Sequence, residues 1–210
     1  MSLVLNCLEP AQETEFGDLV RLYEQAFPAS ERKPVEALRR MLATAAYHFF
    51  LAQEDGLTAG FAIVRVLDGG DAALLEYMAV APERRGHGLG GRIVLAVAQA
   101  IGAPPAVLLI EVESDRVEGP EREQRSRRKR FYRSLGAREL QELGWVMPPV
   151  AATPPPAMEM LAFASVSGSV SRGRLRRWLT GIYVEVYGQR ADDPRIGAML
   201  AGLPDEVPIL

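Results

Sequence analysis

Hydrophobic positions recur along most of the chain with two periods, and each period predicts one kind of element. Apolar residues three and four apart predict amphipathic helices, whereas short apolar or alternating runs predict strands. The predicted helices start near Leu19, Pro34, Leu89 and, after a proline-rich connector over 148–156, Ser171. The polar stretch Glu118 to Leu135 is predicted to become helical before Gly136. The predicted strands are Leu3 to Leu8, Tyr47 to Gln53, Ala59 to Leu67, Ala73 to Val80, Val107 to Val112, Arg138 to Val146 and Met158 to Ala164.

The order of these elements, βααβββ-loop-αβαββ, predicts one α/β domain over residues 1–165. Residues 166–210 form a C-terminal extension. Its apolar side chains recur at helical spacing from Leu175 to Tyr187 and predict an amphipathic helix. This helix must pack on the domain or on a partner chain, so a homodimer stays open.

Composition and charge narrow the classes of partner. The net charge of -3 argues against general binding to nucleic acid or to acidic membranes. Cys7 is the only cysteine, so neither an internal disulfide nor a zinc cluster is expected, and no metal site is predicted. The N-terminus lacks the pattern of a signal peptide, and no apolar run approaches a membrane span. A cytoplasmic location fits these features best.

A glycine-rich segment separates the strand that ends at Val80 from the helix that follows. It runs Arg85-Gly86-His87-Gly88-Leu89-Gly90, with Gly91 directly behind. Glycines let successive backbone N–H groups converge without interference from Cβ atoms, and a helix N-terminus adds partial positive charge. The segment therefore predicts an anion site, with a pyrophosphate as its natural ligand. A glycine-rich turn that only permits tight packing is the alternative.

The glycine spacing also satisfies the dinucleotide-binding fingerprint, with Glu111 about 20 residues further on. Three features argue against a nicotinamide dinucleotide. Pro82 to Arg85 intervene between the strand and the first glycine, and a long βααβββ pattern precedes the motif. The sequence after Glu111 does not continue the alternating βαβ units of a doubly wound sheet.

The segment resembles the pyrophosphate motif of the GNAT superfamily of acyl-CoA N-acyltransferases, (Arg or Gln)-x-x-Gly-x-(Gly or Ala), at Arg85, Gly88 and Gly90. Two further segments agree with it. The preceding strand ends at Met78-Ala79-Val80, and Arg130 to Ala137 is similar to the family's aromatic-Tyr-x-x-Leu-Gly segment. The resemblance covers about the first 165 residues. It implies a GNAT-type mixed central sheet with splayed strands flanked by helices, to which the C-terminal amphipathic helix is added.

The same resemblance implies an acetyltransferase with acetyl-CoA as co-substrate. The acyl group would pass to a primary amine of a small molecule or peptide by direct attack. The pantetheine arm is expected along the backbone of the strand end and the pyrophosphate on the loop N–H groups. The implied cofactor-binding residues are Met78, Ala79, Val80, Arg85, Gly86, His87, Gly88, Leu89, Gly90 and Gly91.

Two residues are the catalytic candidates. Tyr132 matches the family's tyrosine near the sulfur and is expected to act as general acid, with a packing tyrosine as the alternative. Glu76 lies in the strand that contacts the cofactor and is the candidate base, with a structural ion pair as the alternative. Glu111 and Glu113 compete for that role. The family's asparagine after the next strand is replaced here by Ser114-Asp115-Arg116, which puts the usual cofactor contact there in doubt.

The acceptor site is expected at the loop Phe27 to Lys33, between the first two helices, and at the stretch Trp145 to Met160. Glu31 is a candidate to attract an amine and Arg32 a carboxylate, although both can be exposed loop charges. The arginine-rich stretch from Glu118 to Leu135 is expected to form a solvated helix face. Cys7 is not expected to carry an acyl group, because nothing in the sequence pairs it with a histidine. A non-catalytic acyl-CoA sensor or interaction module is the alternative function.

Overall fold

The computed structural model follows the predicted order of elements through its seventh strand, which confirms the α/β fold. It describes residues 3–101, 107–140, 142–149, 154–163 and 168–209. The strands are β1 Leu3–Cys7, β2 Tyr47–Glu54, β3 Leu57–Val66, β4 Ala72–Val80, β5 Val107–Glu113, β6 Arg138–Glu139, β7 Met158–Phe163, β8 Gly168–Ser171 and β9 Glu206–Ile209. The helices are α1 Glu13–Ala26, α2 Val35–Leu42, α3 Leu89–Ala100, α4 Arg122–Ser134, α5 Arg172–Gly181 and α6 Pro194–Leu200.

Seven strands form one mixed sheet in the order β1-β2-β3-β4-β5-β7-β6. The chain divides into two compact units. Unit 1 comprises Met1–Val66 and Leu75–Gly102, and unit 2 comprises Leu67–Leu74 and Ala103–Leu210. Strand β4 is the element that both units share, since its first three residues belong to unit 2 and the remainder to unit 1.

Unit 1 is built on an antiparallel meander. Strand β1 pairs with β2, and β2 pairs with β3 across the turn at Asp55 and Gly56. Both turn residues have positive φ, at 52° and 77°, as a tight hairpin of this type requires. Helices α1 and α2 pack on this meander through buried apolar side chains that include Leu19, Tyr23 and Leu38. The Asp55-Gly56 pair is itself the sequence signal for this hairpin.

Gly60 allows the closest approach in unit 1. A Cβ atom at Gly60 would lie 2.6 Å from Ile93 Cδ1 and 2.8 Å from the Ala79 carbonyl oxygen. Any larger residue would therefore push β3 away from the backbone of β4 and force the Ile93 side chain to move. The glycine thus fixes the strand and the helix that flank the predicted anion loop.

Unit 2 contains the antiparallel strands β5, β7 and β6, helix α4 and the whole described part of the C-terminal extension. Helix α5 begins after Ser171, as predicted, and the Ser171 side chain accepts a hydrogen bond from the Arg174 backbone N–H. The apolar face of α5 packs into one core with β5 and the start of β4. Asp71 anchors this helix, because its carboxylate accepts bonds from Arg174 Nε at 2.7 Å and Trp178 Nε1 at 3.1 Å.

The extension is more elaborate than a single helix. Helix α5 continues as a π-helical segment over Ile182–Val186. Neither α6 nor the antiparallel pairing of β8 with β9 was predicted. The signal for α6 is present in the sequence, since Asp193 caps the helix and Pro194 occupies its first position.

One predicted strand is wrong. In the predicted strand Arg138 to Val146, regular pairing with β7 is limited to the two residues of β6. Glu142 and Gly144 have positive φ, at 67° and 55°, and a chain with two such positions cannot stay extended.

Two other expectations touch residues outside the described set. The proline-rich connector lies partly there, at 150–153, as does the predicted boundary between 165 and 166. In the part of the chain that the structure describes, no helix combines the length and the apolar character that crossing a membrane requires.

Candidate active site

The glycine loop links the end of β4 to the start of α3 within unit 1. Gly86 and Gly88 both have positive φ, at 85° and 73°. A Cβ atom at either glycine would meet nothing within 4 Å, so conformation rather than crowding requires glycine here. Residues 85–88 are exposed, and their backbone is therefore accessible to a ligand.

The start of α3 has the character of an anion site. Gly88 occupies the N-cap position and has no side chain to cap the helix. The first N–H groups of a helix have no partner within the helix. The first turn also contains no acidic residue, unlike that of α1, where Glu13 and Glu15 offset the helix dipole. A pyrophosphate would supply both the acceptors and the negative charge that this helix end lacks.

The arginines around the loop have separate contacts. Arg85 Nε donates to the Val80 carbonyl oxygen at 3.1 Å, which holds the loop against the end of β4. Arg92 pairs with the buried carboxylate of Glu54 at 2.7 Å. His87 is exposed. The Arg85 side chain therefore shapes the loop, which is consistent with its place in the predicted pyrophosphate motif.

Strand β4 changes character along its length. Ala72 to Leu75 are buried, whereas Glu76, Tyr77, Met78 and Val80 are partly exposed. The Glu76 side chain is only 4% exposed, so most of the accessible surface of this residue belongs to its main chain. Accessible backbone in an inner strand is the feature that a pantetheine arm needs for amide hydrogen bonds.

Glu76 is held by two partners from unit 1. Lys33 Nζ donates to Glu76 Oε2 at 2.6 Å, and the Tyr47 hydroxyl donates to Oε1 at the same distance. The candidate base thus forms an ion pair, which was the alternative interpretation of this residue. A buried carboxylate that already binds a primary ammonium is also chemically suited to bind the ammonium of an acceptor.

Aromatic side chains surround this ion pair. Tyr77 lies edge-on to Tyr23, with ring centroids 5.0 Å apart, and to Phe27 at 5.2 Å. Burial raises the pKa of Tyr77, and the neighbouring Tyr23 adds to the shift. Burial likewise raises the pKa of Tyr23. Both phenols therefore stay protonated, and the apolar surroundings strengthen the attraction between Lys33 and Glu76.

Tyr132 lies in unit 2, near the end of α4. It is buried, and its ring lies edge-on to Phe131 at 5.0 Å. Burial raises the pKa of Tyr132 to about 12, although the charge of Arg128 opposes the shift. The phenol is therefore a proton donor throughout the neutral pH range.

Comparison with known proteins agrees with this geometry. Residues 45–136 match the family model of the acetyltransferase (GNAT) domain. The match runs from the start of β2 to the end of α4 and includes the glycine loop, Glu76 and Tyr132.

This chain carries a GNAT acetyltransferase domain. Over residues 45–136 the resemblance found in the sequence is confirmed, and with it the expectation of an acetyltransferase domain that uses acetyl-CoA as its co-substrate.

Solved structures share the GNAT fold over most of the chain. A GNAT-family acetyltransferase from Bacteroides thetaiotaomicron is 19% identical, with 89% of this chain and 99% of that chain covered and a TM-score of 0.72. The ribosomal-protein-S18-alanine N-acetyltransferase from Escherichia coli is 21% identical, with 78% and 94% covered and a TM-score of 0.55. An aminoglycoside 6'-N-acetyltransferase complexed with coenzyme A is 14% identical, with 78% and 97% covered and a TM-score of 0.60. No curated protein matches the sequence.

Ser114, Asp115 and Arg116 follow β5 at the position where the resemblance implies an asparagine. All three residues join a buried ion cluster around Lys129 in unit 2. Ser114 donates to Glu159 at 2.6 Å and Arg116 to Glu139 at 2.5 Å, while Asp115 lies 3.4 Å from Lys129 Nζ. Lys129 also contacts Glu139 and Glu159. Burial alone would lower the pKa of Lys129, but these two glutamates outweigh it and raise the pKa.

The other candidate carboxylates of the GNAT domain lie on β5. Glu111 Oε2 accepts a hydrogen bond from the Tyr187 hydroxyl at 2.7 Å. The C-terminal extension therefore reaches β5 through Tyr187, the residue that follows the π-helical segment. Glu113 lies 3.9 Å from Arg128 on α4.

The arginine-rich helix α4 is largely engaged with its own surroundings. Arg122 and Arg125 donate to backbone carbonyl oxygens of Asp115 and Val117, and Arg127 pairs with Glu123 on the same helix. These bonds fasten the loop before the helix and leave fewer cations for an external anion.

The two predicted acceptor residues have different partners. Glu31 is exposed, and its backbone oxygen accepts a bond from the Tyr77 hydroxyl at 3.1 Å. Arg32 donates to the Glu24 carbonyl oxygen at 3.4 Å and lies 3.6 Å from its carboxylate. Lys33, the last residue of the predicted acceptor loop, contacts the carboxylate of Glu76, a pairing that the sequence did not reveal.

Cys7 does have a histidine neighbour, which the sequence did not reveal. Its Sγ lies 3.7 Å from His48 Nδ1 across the β1–β2 pair. Burial and the charge of Glu9 raise the pKa of the Cys7 thiol. A raised pKa disfavours the thiolate that an acyl-carrying nucleophile needs. The described residues hold no group of three or more His, Cys, Asp or Glu side chains suited to a metal ion.

Proposed function

We propose that this GNAT enzyme transfers an acetyl group from acetyl-CoA to the primary amine of a small molecule or peptide by direct attack of that amine. The observation that carries the proposal is the bond between Glu76 and Lys33. A carboxylate with a 4% exposed side chain, in the strand predicted to contact the cofactor, already binds a primary ammonium at 2.6 Å. An acceptor ammonium is the same chemical group.

The cofactor residues are proposed from the loop and the end of β4. The N–H groups from Arg85 to Gly91 would hold the pyrophosphate, and the backbone of Met78, Ala79 and Val80 would hold the pantetheine amides. The positive φ of Gly86 and Gly88 and the uncapped start of α3 support this assignment. Acetyl-CoA supplies the activated acyl group.

Tyr132 is proposed as the general acid. Its hydroxyl would give a proton to the departing sulfur, and a phenol with a pKa of about 12 carries that proton at neutral pH. The assignment itself rests on the match between Tyr132 and the family's tyrosine.

Glu76 is proposed to bind the acceptor amine and to receive its proton. An acceptor ammonium would have to take the place of Lys33, because both amines need the same carboxylate oxygen. Tyr47 would keep the other oxygen fixed during this exchange. Glu31, which is exposed at the same loop, would add negative charge at the entrance, and Arg32 would meet a carboxylate of the acceptor.

The names of two structural relatives indicate suitable acceptors. One acts on the alanine of ribosomal protein S18 and the other on the 6' amine of aminoglycosides. Both acceptor classes are therefore included in the test.

Thiol release from acetyl-CoA across a panel of amines tests the proposal. The panel pairs a peptide that has a free N-terminal alanine with the same peptide blocked at its N-terminus, and it includes an aminoglycoside. We expect release over many turnovers with at least one free primary amine, and with its blocked partner no more release than the enzyme gives with acetyl-CoA alone. Acetyl-CoA binding without release for any amine would contradict the proposal and favour the sensor function.

A further inference from the structure

We propose that Lys33 is an intramolecular acetylation site, at which the enzyme modifies its own acceptor loop. This inference rests on the proposed function, because it assigns to Lys33 the position of the acceptor amine.

The sequence makes Lys33 unusual. Only two of the 24 basic residues are lysines, Lys33 and Lys129, and all the others are arginines. The side-chain amine of lysine is a nucleophile once it is deprotonated, whereas the guanidinium of arginine stays protonated. The chain therefore offers two side-chain amines to acetyl-CoA, and one of them lies at the candidate active site.

The two lysines have different surroundings. Lys129 is 7% exposed and lies among Asp115, Glu139 and Glu159, so it is shielded from any acyl donor. The Lys33 side chain is 30% exposed and bonds to the single carboxylate of Glu76. Lys33 is thus the accessible amine, and Lys129 is its internal control.

The structure holds Lys33 in one position. Its backbone N–H donates to the Tyr23 hydroxyl at 2.6 Å, its Nζ lies 5.9 Å from the centre of the Tyr77 ring, and its ammonium binds Glu76. Met78, where the proposed pantetheine contact begins, is two residues from Glu76, or about 7 Å along a strand. The carboxylate that binds the amine is therefore about 7 Å along β4 from the proposed pantetheine contact.

The chemical step balances without any further reactant. Lys33 Nζ loses a proton to Glu76 and then attacks the acetyl carbonyl carbon with its lone pair. The new N–C bond forms as the C–S bond breaks, and the sulfur leaves with the bonding electrons and takes up a proton. The second proton of the attacking nitrogen passes to solvent. The products are acetyl-Lys33 and free coenzyme A.

Acetylation would change the loop. It removes the positive charge from Lys33 and so breaks the ion pair with Glu76. The carboxylate would then be available to an external amine. Lys33 thus links the modification of the enzyme to the binding of its acceptor.

Peptide mapping by mass spectrometry tests this site on the full-length, initially unmodified protein after incubation with acetyl-CoA alone. We expect one acetyl group at Lys33, none at Lys129, and a rate per molecule that does not depend on protein concentration. Lys33→Arg, which keeps the charge, should abolish the modification, and Lys129→Arg should leave it unchanged. Glu76→Gln should slow it about a hundredfold, the typical contribution of a general base.

Four results would overturn the site. Lys33 could stay unmodified while the same sample releases thiol with an external amine, in which case the proposed function would survive and the modification would not. Equal, slow acetylation of Lys33 and Lys129 would indicate uncatalysed chemistry. A rate per molecule that rises with protein concentration would indicate transfer between molecules. If neither Lys33 nor any external amine is acetylated, the proposed function fails together with this inference.

Discussion

Lys33 Nζ lies 2.6 Å from Glu76 Oε2, although 43 residues separate the two in sequence. The pair joins the loop between α1 and α2 to the partly exposed half of β4. The two side chains differ in exposure, because 30% of the Lys33 side chain but only 4% of the Glu76 side chain is accessible to solvent. Loss of the lysine would therefore leave a carboxylate buried without its countercharge.

A double-mutant cycle tests the energy of this pair. Lys33→Met is expected to lower the free energy of unfolding by roughly 2 kcal/mol, below the range for fully buried pairs because Lys33 is partly exposed. Lys33→Met/Glu76→Gln should lose less than the sum of the two single variants, because no charge is then left buried. Urea unfolding measures all four proteins. If the losses in free energy of unfolding of the two single variants summed to that of the double variant, the two side chains would not interact in solution.

Gly88→Ala tests the anion loop. Gly88 has a φ of 73°, and a non-glycine residue there costs about 1 to 2 kcal/mol. If the loop relaxes to relieve this strain, acetyl-CoA affinity should fall roughly tenfold, since about 1.4 kcal/mol corresponds to a factor of ten. Calorimetric titration measures the change.

Gly197→Ala is the matched control for that variant. Gly197 lies in α6, and an added Cβ would meet nothing within 4 Å. Its acetyl-CoA affinity should equal that of the wild type. Unchanged affinity in Gly88→Ala as well would remove the loop from the cofactor site.

Tyr132→Phe tests the general acid. The variant keeps the buried ring and removes only the hydroxyl, so acetyl-CoA affinity should persist while kcat falls about a hundredfold. Tyr183→Phe is the control, because the Tyr183 hydroxyl donates to the Val146 carbonyl oxygen at 2.5 Å and has no proposed catalytic role. Steady-state kinetics with a reactive amine separate kcat from KM. Equal kcat values for the wild type and Tyr132→Phe would make Tyr132 a packing residue.

The same two tyrosines predict loss of stability in alkali. Burial raises the pKa of Tyr132 and of Tyr183 to about 12. The folded protein therefore binds more protons than the unfolded chain above pH about 10, the ordinary tyrosine pKa, so stability falls as pH rises from there toward 12. Over this pH range, the free energy of unfolding of Tyr132→Phe should fall less than that of the wild type, by on the order of 2 kcal/mol. Urea midpoints at a series of pH values measure this slope, and parallel slopes would contradict it.

Local patterns explain why the loop and the fold were predictable from sequence. In the loop, six consecutive residues determine both the positive φ angles and the start of the helix. The hairpin likewise depends only on two neighbouring residues, Asp55 and Gly56. The element order through β7 follows from hydrophobic period alone. These features depend on neighbours in sequence, which a sequence displays directly.

Long-range pairing explains what could not be predicted. Lys33 and Glu76, Ser114 and Glu159, and Tyr187 and Glu111 are partners across the fold, and nothing in the local sequence pairs them. The β8–β9 pair joins segments on either side of α5 and α6 in the same way. The strand predicted through Val146 failed because positive φ at Glu142 gives no signal in an otherwise alternating run.

Calorimetric binding of acetyl-CoA, followed in the same sample by thiol release on addition of amines, tests whether the loop binds acetyl-CoA for acetyl transfer. We expect acetyl-CoA to bind and a free primary amine then to release coenzyme A, while a nicotinamide dinucleotide does not compete for the loop. Failure of acetyl-CoA to bind, together with binding of the dinucleotide, would contradict it.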